Sequence, residues 1–166
     1  MQRTSFADMH CSIARTLEIV GEWWTPLILR DVYLGLHRFD DIAENLRISR
    51  NLLALRLKHL VDQHIVERRP YQDRPARYEY HLTPAGRELV PALLVLMHWG
   101  DRNATPPGGP PVRLVHDSCG ESFTPEVTCS SCGAEVTAAT VTARPGPGAA
   151  AGPGTYVLHQ RDHAGR

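Results

Sequence analysis

The chain has 166 residues, a formal net charge of +0, 42% hydrophobic residues and four cysteines. That length suits one ordinary domain with a small appendage, and the balanced charge excludes a polyanion-attracting field over the whole surface. The longest apolar run, Val90 to Met97, is too short to cross a bilayer, and MQRTSFADMH at the start has no apolar signal region.

A soluble, cytoplasmic protein is therefore expected, with cysteines used as ligands or sensors rather than as structural disulfides. CSIARTLEIVG sets Ile13, Leu17 and Val20 at helical spacing, with Gly21 as the stop. TPLILRDVYLG opens on Thr25 as N-cap, carries Pro26 at the first helical position and closes at Gly35. FDDIAENL is a predicted short helix, Phe39–Leu46, capped by Asp40, with Asp41 complementing the helix dipole. After a bend at Arg47–Ile48, Ser49 caps a longer helix running to about Gln63. Its buried stripe is predicted as Leu53, Leu57, Leu60 and Val61, and its other face presents Arg50, Asn51, Arg56 and Lys58, with Leu55 exposed.

The period then changes to two. Val66–Tyr71 reads as a strand, 72–76 as a turn, and Arg77–Leu82 alternates Tyr78, Tyr80 and Leu82 against Arg77, Glu79 and His81. The result is a β-hairpin with Arg74 and Arg77 at a basic tip. Thr83-Pro84 launches a last helix to about Asp101, kinked by Pro91, whose ring clashes with the carbonyl of Arg87. The apolar stripe of that helix is wider than one small body covers, which offers a seam to a second copy.

Two Pro/Gly-rich stretches, TPPGGPP and RPGPGAAAGPG, sustain neither helix nor strand. They divide the chain into a body (1–104), a linker (105–111), a small Cys/His module (112–143) and a tail (144–166), of which TYVLHQRDHAGR has no assigned element. The expected class is mainly α with a small β-hairpin wing, followed by a small zinc-ribbon-like β module.

Helix, short helix, tight bend, capped helix and hairpin is the order of a winged helix-turn-helix. Residues 47–80 hold eight basic against four acidic side chains, a local net of +4 in a neutral chain. Such a surface suits a polyanion, and a capped helix of this kind enters the DNA major groove by its N-terminal residues. Ser49, Arg50, Asn51 and Arg56 are the candidate base and phosphate contacts, and Arg74 and Arg77 the wing contacts. The rival reading is a protein-interaction module that uses the same body as a scaffold and the Cys-rich module for docking. An enzyme is disfavoured: no Gly-rich phosphate loop and no nucleophile–base–acid set stands at interpretable spacing.

Five stretches in this order, IVGEWWTPLILRD, RFDDIAENL, ISRNLLALRLKHLV, VERRPY and RYEYHLTPAGREL, resemble the HxlR-type winged helix-turn-helix regulators, relatives of the MarR group. The resemblance covers about residues 11–101. It implies a homodimer that binds a pseudo-palindromic operator and is built through the first and last helices of the body. Trp24 matches the family's signature tryptophan. Ala54 and Leu55 replace residues that are usually polar, so the operator sequence is left open. Cys11 matches a cysteine that senses oxidants in some members; a helix N-terminus favours a thiolate. Ser12 follows it where many members have proline, and packing under the first helix is the preferred reading of the thiol.

HDSCGESFTPEVTCSSCG contains one His-x2-Cys-Gly pair and one Cys-x2-Cys-Gly pair. His116, Cys119, Cys129 and Cys132 make a Cys3His set with the pairwise spacing of structural zinc. An unmetallated ribbon and a redox dithiol are the competing readings. The dithiol needs the pair at a helix N-terminus, whereas TPEVT and GAEVT around it read as short strand and turn.

Overall fold

The computed structural model describes residues 5–150 and 152–155. The tail end from 156 onward, left without an element above, lies outside the described residues. Two compact units form: residues 5–83 together with 142–155, and residues 84–141. Among the described residues no helix is long and apolar enough to cross a membrane.

The first unit holds four helices and a hairpin: α1 (Ser12–Val20), α2 (Thr25–Tyr33), α3 (Phe39–Leu46), α4 (Arg50–Asp62), β1 (Val66–Asp73) and β2 (Ala76–Leu82). Its core is aliphatic. Ile28, Leu29, Val32, Ile42, Leu53, Leu57, Leu60 and Val66 are all at most 2% exposed. Burying each such side chain is worth about 1.5–3 kcal/mol, enough to hold short helices that would not persist alone.

Two caps differ from expectation. Thr25 is the first residue of α2, and Trp24, already in helical conformation, is the cap residue. The turn before it is itself helix-like, since the Thr25 N–H donates to the Glu22 carbonyl at 2.8 Å, and Thr25 is buried. Arg38, not Asp40, precedes α3. Residues 37 and 38 are drawn out along β2 by an antiparallel bridge between Arg38 and Glu79, so the chain turns helical only at Phe39. Asp40 and Asp41 therefore both lie in the first turn, where their charge complements the dipole.

Gly35 ends α2 at φ +98°, with Leu36 N–H donating to the Asp31 carbonyl at 2.9 Å and Gly35 N–H to that of Val32. This is the Schellman arrangement that a glycine beyond the C-cap permits. Among the described residues of this unit one charged side chain is buried. Asp31 is 1% exposed, accepts from Arg30 Nη2 at 2.7 Å, and accepts from Asn45 Nδ2 at 2.7 Å, joining α2 to α3.

The hairpin pairs Val66 with Leu82 through Asp73 with Ala76, and a bulge between Pro70 and Gln72 shifts its register at Tyr71. Thr83 fastens its base, its hydroxyl donating to the His64 carbonyl at 2.6 Å.

In the second unit the predicted last helix forms as two, α5 (Pro84–Glu88) and α6 (Val90–Asn103). The break falls at Leu89, two residues before Pro91, because a proline ring cannot sit beside the carbonyl four residues back. No residue of α6 is buried; Leu96 is 59% and Trp99 54% exposed. Residues 112–141 form no strand or helix, only two isolated bridges.

Candidate nucleic-acid interface

α3, the turn at Arg47 and α4 make the helix-turn-helix. Arg47 adopts φ +50°, and Ile48 is buried beneath the turn, which fixes the angle between the two helices. Ser49 caps α4 as expected: its hydroxyl oxygen accepts from the Leu52 N–H at 3.3 Å. The hydroxyl proton remains available to a phosphate oxygen.

On α4 the buried stripe is Leu53, Leu57 and Leu60, with Val61 half-buried. Arg50, Asn51, Ala54, Leu55 and Lys58 then share the solvent face, as i, i+1, i+4, i+5 and i+8 must on a helix. Lys58 pairs with Asp62 at 2.6 Å, on the turn farthest from the N-terminus. Arg50 is held loosely beside α3, with Nη1 2.7 Å from Asp40 Oδ1 and its guanidinium 5.0 Å above the Phe39 ring. Its side chain is still 68% exposed, so it can turn to a phosphate or a guanine edge.

Arg56 departs from the expected set. Its Nη2 lies 2.8 Å from Glu22 Oε2 and its side chain is 17% exposed. Arg56 stands three residues after Leu53 and one before Leu57, beside the buried stripe, so it faces the turn before α2 rather than the solvent groove. The structure thus groups Ser49, Arg50 and Asn51 at the exposed start of α4 and pairs Arg56 with Glu22 instead.

At the wing, Arg74 and Arg77 are both exposed at the hairpin tip. Behind the tip, Arg68 stacks over Tyr78 at 5.0 Å and Arg38 over Tyr71 at 4.8 Å. Arg38 also binds Glu79 at 3.3 Å, and the Tyr80 N–H donates to the His37 carbonyl at 2.8 Å. These contacts brace the wing against the loop before α3. Arg38 first, and His81 as well, hold the Glu79 carboxyl below its usual range against the opposing effect of burial. Between wing and α4 lies a cleft of about 480 Å³ whose lining includes Arg38, Asp40, Arg50, Tyr71, Arg77 and Tyr78. Arg38 was not among the residues expected here. A lone arginine before a helix carries no periodic signal, and only the hairpin's return places it in the cleft.

Cys11 is the cap residue of α1, half-buried, with a free thiol that makes no capping bond. The returning segment lies against it: the His10 N–H donates to the Pro153 carbonyl at 3.1 Å, and Gly154 packs so close that a Cβ there would be 2.8 Å from the Cys11 Cβ.

In the second unit, Cys119 Sγ is 3.5 Å from His116 Nδ1. The N–H of Ser131, then that of Cys132, and the Cys132 side chain hold the Cys129 thiol below its ordinary range. The four expected metal ligands thus stand as two pairs. Among the described residues no three His, Cys, Asp or Glu side chains are close enough to share one ion.

A helix-turn-helix whose second helix leaves a polar N-terminal face in solvent, with a two-stranded basic wing beside it, defines a winged helix-turn-helix DNA-binding protein. The HxlR-like helix-turn-helix profile matches residues 19–107, more than half of the chain, and the chain belongs to that family of transcriptional regulators. An uncharacterized HTH-type transcriptional regulator of Mycobacterium tuberculosis is 50% identical over 137 residues, 82% of this chain and 87% of its own. Among solved structures, PA1607, a candidate transcription factor, has a TM-score of 0.74 at 32% identity, covering 84% of this chain and 98% of its own. PA1374 of Pseudomonas aeruginosa, another candidate transcription factor, has a TM-score of 0.59 at 37% identity and covers 91% and 99%. Matches of this extent exceed the 104 residues of the expected body and run into the C-terminal segment.

Proposed function

We propose that the chain acts as a homodimer on pseudo-palindromic operators in the cytoplasm, reading bases with the N-terminal face of α4 and gripping the backbone with the wing. The observation that carries this reading is the exposed cluster of Ser49, Arg50 and Asn51 at the start of α4, from which Arg50 lines the cleft shared with the basic hairpin. Asn51 has the amide that pairs bidentately with adenine, and Leu55, 57% exposed, suits a thymine methyl. Arg74 and Arg77 at the tip, with Arg38 behind them, suit phosphates, which position a protein without reading sequence.

Dimerisation is supported by apolar side chains left in solvent on each unit taken by itself. Ile13 and Leu17 of α1 are 71% and 42% exposed, and Val95, Leu96 and Trp99 form the open face of α6. Faces of this kind on a small protein mark association surfaces. Cys11, lying under residues 153 and 154, is assigned a packing role at the start of α1.

Selection of bound fragments from genomic DNA tests the proposal. The expected motif is two-fold symmetric, with half-site centres about one duplex turn, ~34 Å, apart. An asymmetric single half-site would contradict the dimer, and recovery of no motif would contradict sequence-specific reading.

A further inference from the structure

The segment 112–141 keeps its shape without the usual means. None of its side chains is buried, it has no regular helix or strand, and its three cysteines are free. A segment of this size with no core needs a cross-link, a metal or docking on a neighbouring element to order it.

What it does contain is one backbone knuckle, made twice at an offset of 13 residues. In the first, the His116 N–H donates to the Glu121 carbonyl at 2.9 Å and the Gly120 N–H to the His116 carbonyl at 2.8 Å. In the second, the Cys129 N–H donates to the Ala134 carbonyl and the Gly133 N–H to the Cys129 carbonyl, both at 2.8 Å. One antiparallel bridge closes each knuckle, Val115 with Ser122 and Thr128 with Glu135. Gly120 and Gly133 take φ +74° and +72°, a conformation that glycine enters without strain. This turn brings the side chains at its first and fourth positions to one side, as the 3.5 Å between His116 Nδ1 and Cys119 Sγ shows.

We propose that His116, Cys119, Cys129 and Cys132 form a structural Zn2+ site in which one ion joins the two knuckles. Three thiolates and an imidazole suit this borderline-soft cation, whereas Mg2+ and Ca2+ require oxygen ligands. No three of these side chains gather around one point in the structure, so the proposed site forms as the two knuckles close on the ion. The connecting residues 121–128 include no buried side chain, and their movement breaks no packed core. Four protein ligands leave no position for water, which makes the role structural rather than catalytic. A redox role for CSSC is disfavoured by the same geometry, since the pair lies in a turn and not at the start of a helix. The proposal is independent of DNA binding by the first unit.

Metal analysis of the full chain, purified after zinc supplementation and dialysed into metal-free buffer, tests it. The expected content is about one zinc per chain, falling below about a tenth of that in a Cys119→Ser/Cys132→Ser variant. Cobalt-substituted wild type should show the strong visible absorption of a tetrahedral thiolate site, weakened in Cys132→Ser. Less than about half an equivalent of zinc in the reconstituted wild type overturns the proposal, whatever the variants do. A cobalt spectrum unchanged by Cys132→Ser overturns it as well.

Discussion

Arg56 Nη2 lies 2.8 Å from Glu22 Oε2, and the two side chains are 17% and 25% exposed. The pair fastens the middle of α4 to the turn between α1 and α2. His59 adds to the same seam, its Nε2 3.2 Å from the Ile19 carbonyl. Arg56, in the middle of the second helix of the helix-turn-helix, thus carries an ion pair within the fold. Arg56→Ala should lower unfolding stability by about 1–2 kcal/mol, below the cost of breaking a fully buried pair because water reaches both groups. Urea unfolding checks this. The folded variant should keep wild-type duplex affinity, and a large affinity loss at unchanged stability would return Arg56 to the interface.

Asp31 presents a stronger case of the same kind. Its carboxylate is buried and accepts from Arg30 on α2 and from Asn45 on α3. Asp31→Ala strands the Asn45 amide and should cost about 2–3 kcal/mol, read as a lowered urea midpoint with an unchanged slope. A loss below about 0.5 kcal/mol would show that α2 and α3 are held by apolar packing alone.

The wing brace should be sensitive to acid. Glu79 is held below its usual range chiefly by Arg38, with His81 Nε2 3.4 Å from it. A carboxyl depressed in the folded state stabilises the fold above its unfolded value, and that contribution is lost as pH falls through the folded value. Wild type should therefore exceed Glu79→Gln in stability near neutrality, and the gap should close in acid. Unfolding midpoints of both proteins across the acid range measure it, and a gap that widens as pH falls contradicts the brace.

The open face of α6 should be an association surface. Leu96 is 59% exposed, so Leu96→Glu leaves the fold of a single chain undisturbed while placing a charge in an apolar seam. Light scattering coupled to size exclusion should find a dimer for wild type and one chain for the variant. A variant that remains dimeric moves the seam elsewhere.

The sequence was most legible where a single local rule decides the outcome. Phe39–Leu46 is a helix at both predicted boundaries because Leu46 precedes a left-handed Arg47 that no regular helix continues through. Ser49 is the cap it was expected to be because a hydroxyl at that position reaches the N–H three residues on. Spacing also held the answer for Arg56, since the stripe of Leu53, Leu57 and Leu60 leaves it on the flank rather than the open face. Long-range pairing was not legible. Arg38 displaced Asp40 as the residue before α3 because β2, some 40 residues later, pins it in an extended conformation. Asp31 reads as one more charge on a helix, and only burial against α3 reveals it as the tie between two elements. At the metal candidates, the pattern predicted the paired knuckles but contains nothing about how close the two pairs stand.

The salt dependence of duplex affinity is the sharpest test of a grip on DNA by the Ser49–Asn51 face and the wing. Fluorescence anisotropy with duplex DNA should show binding that weakens on the order of 10³–10⁵-fold between about 50 and 200 mM salt, for roughly 6–10 phosphate contacts. Replacing Arg77 or Arg38 by alanine should reduce the salt slope by about 1 each, while Asn51→Ala lowers affinity for a selected motif without changing the slope. Binding that is absent at low salt, or that does not respond to salt, would show that this surface does not grip DNA.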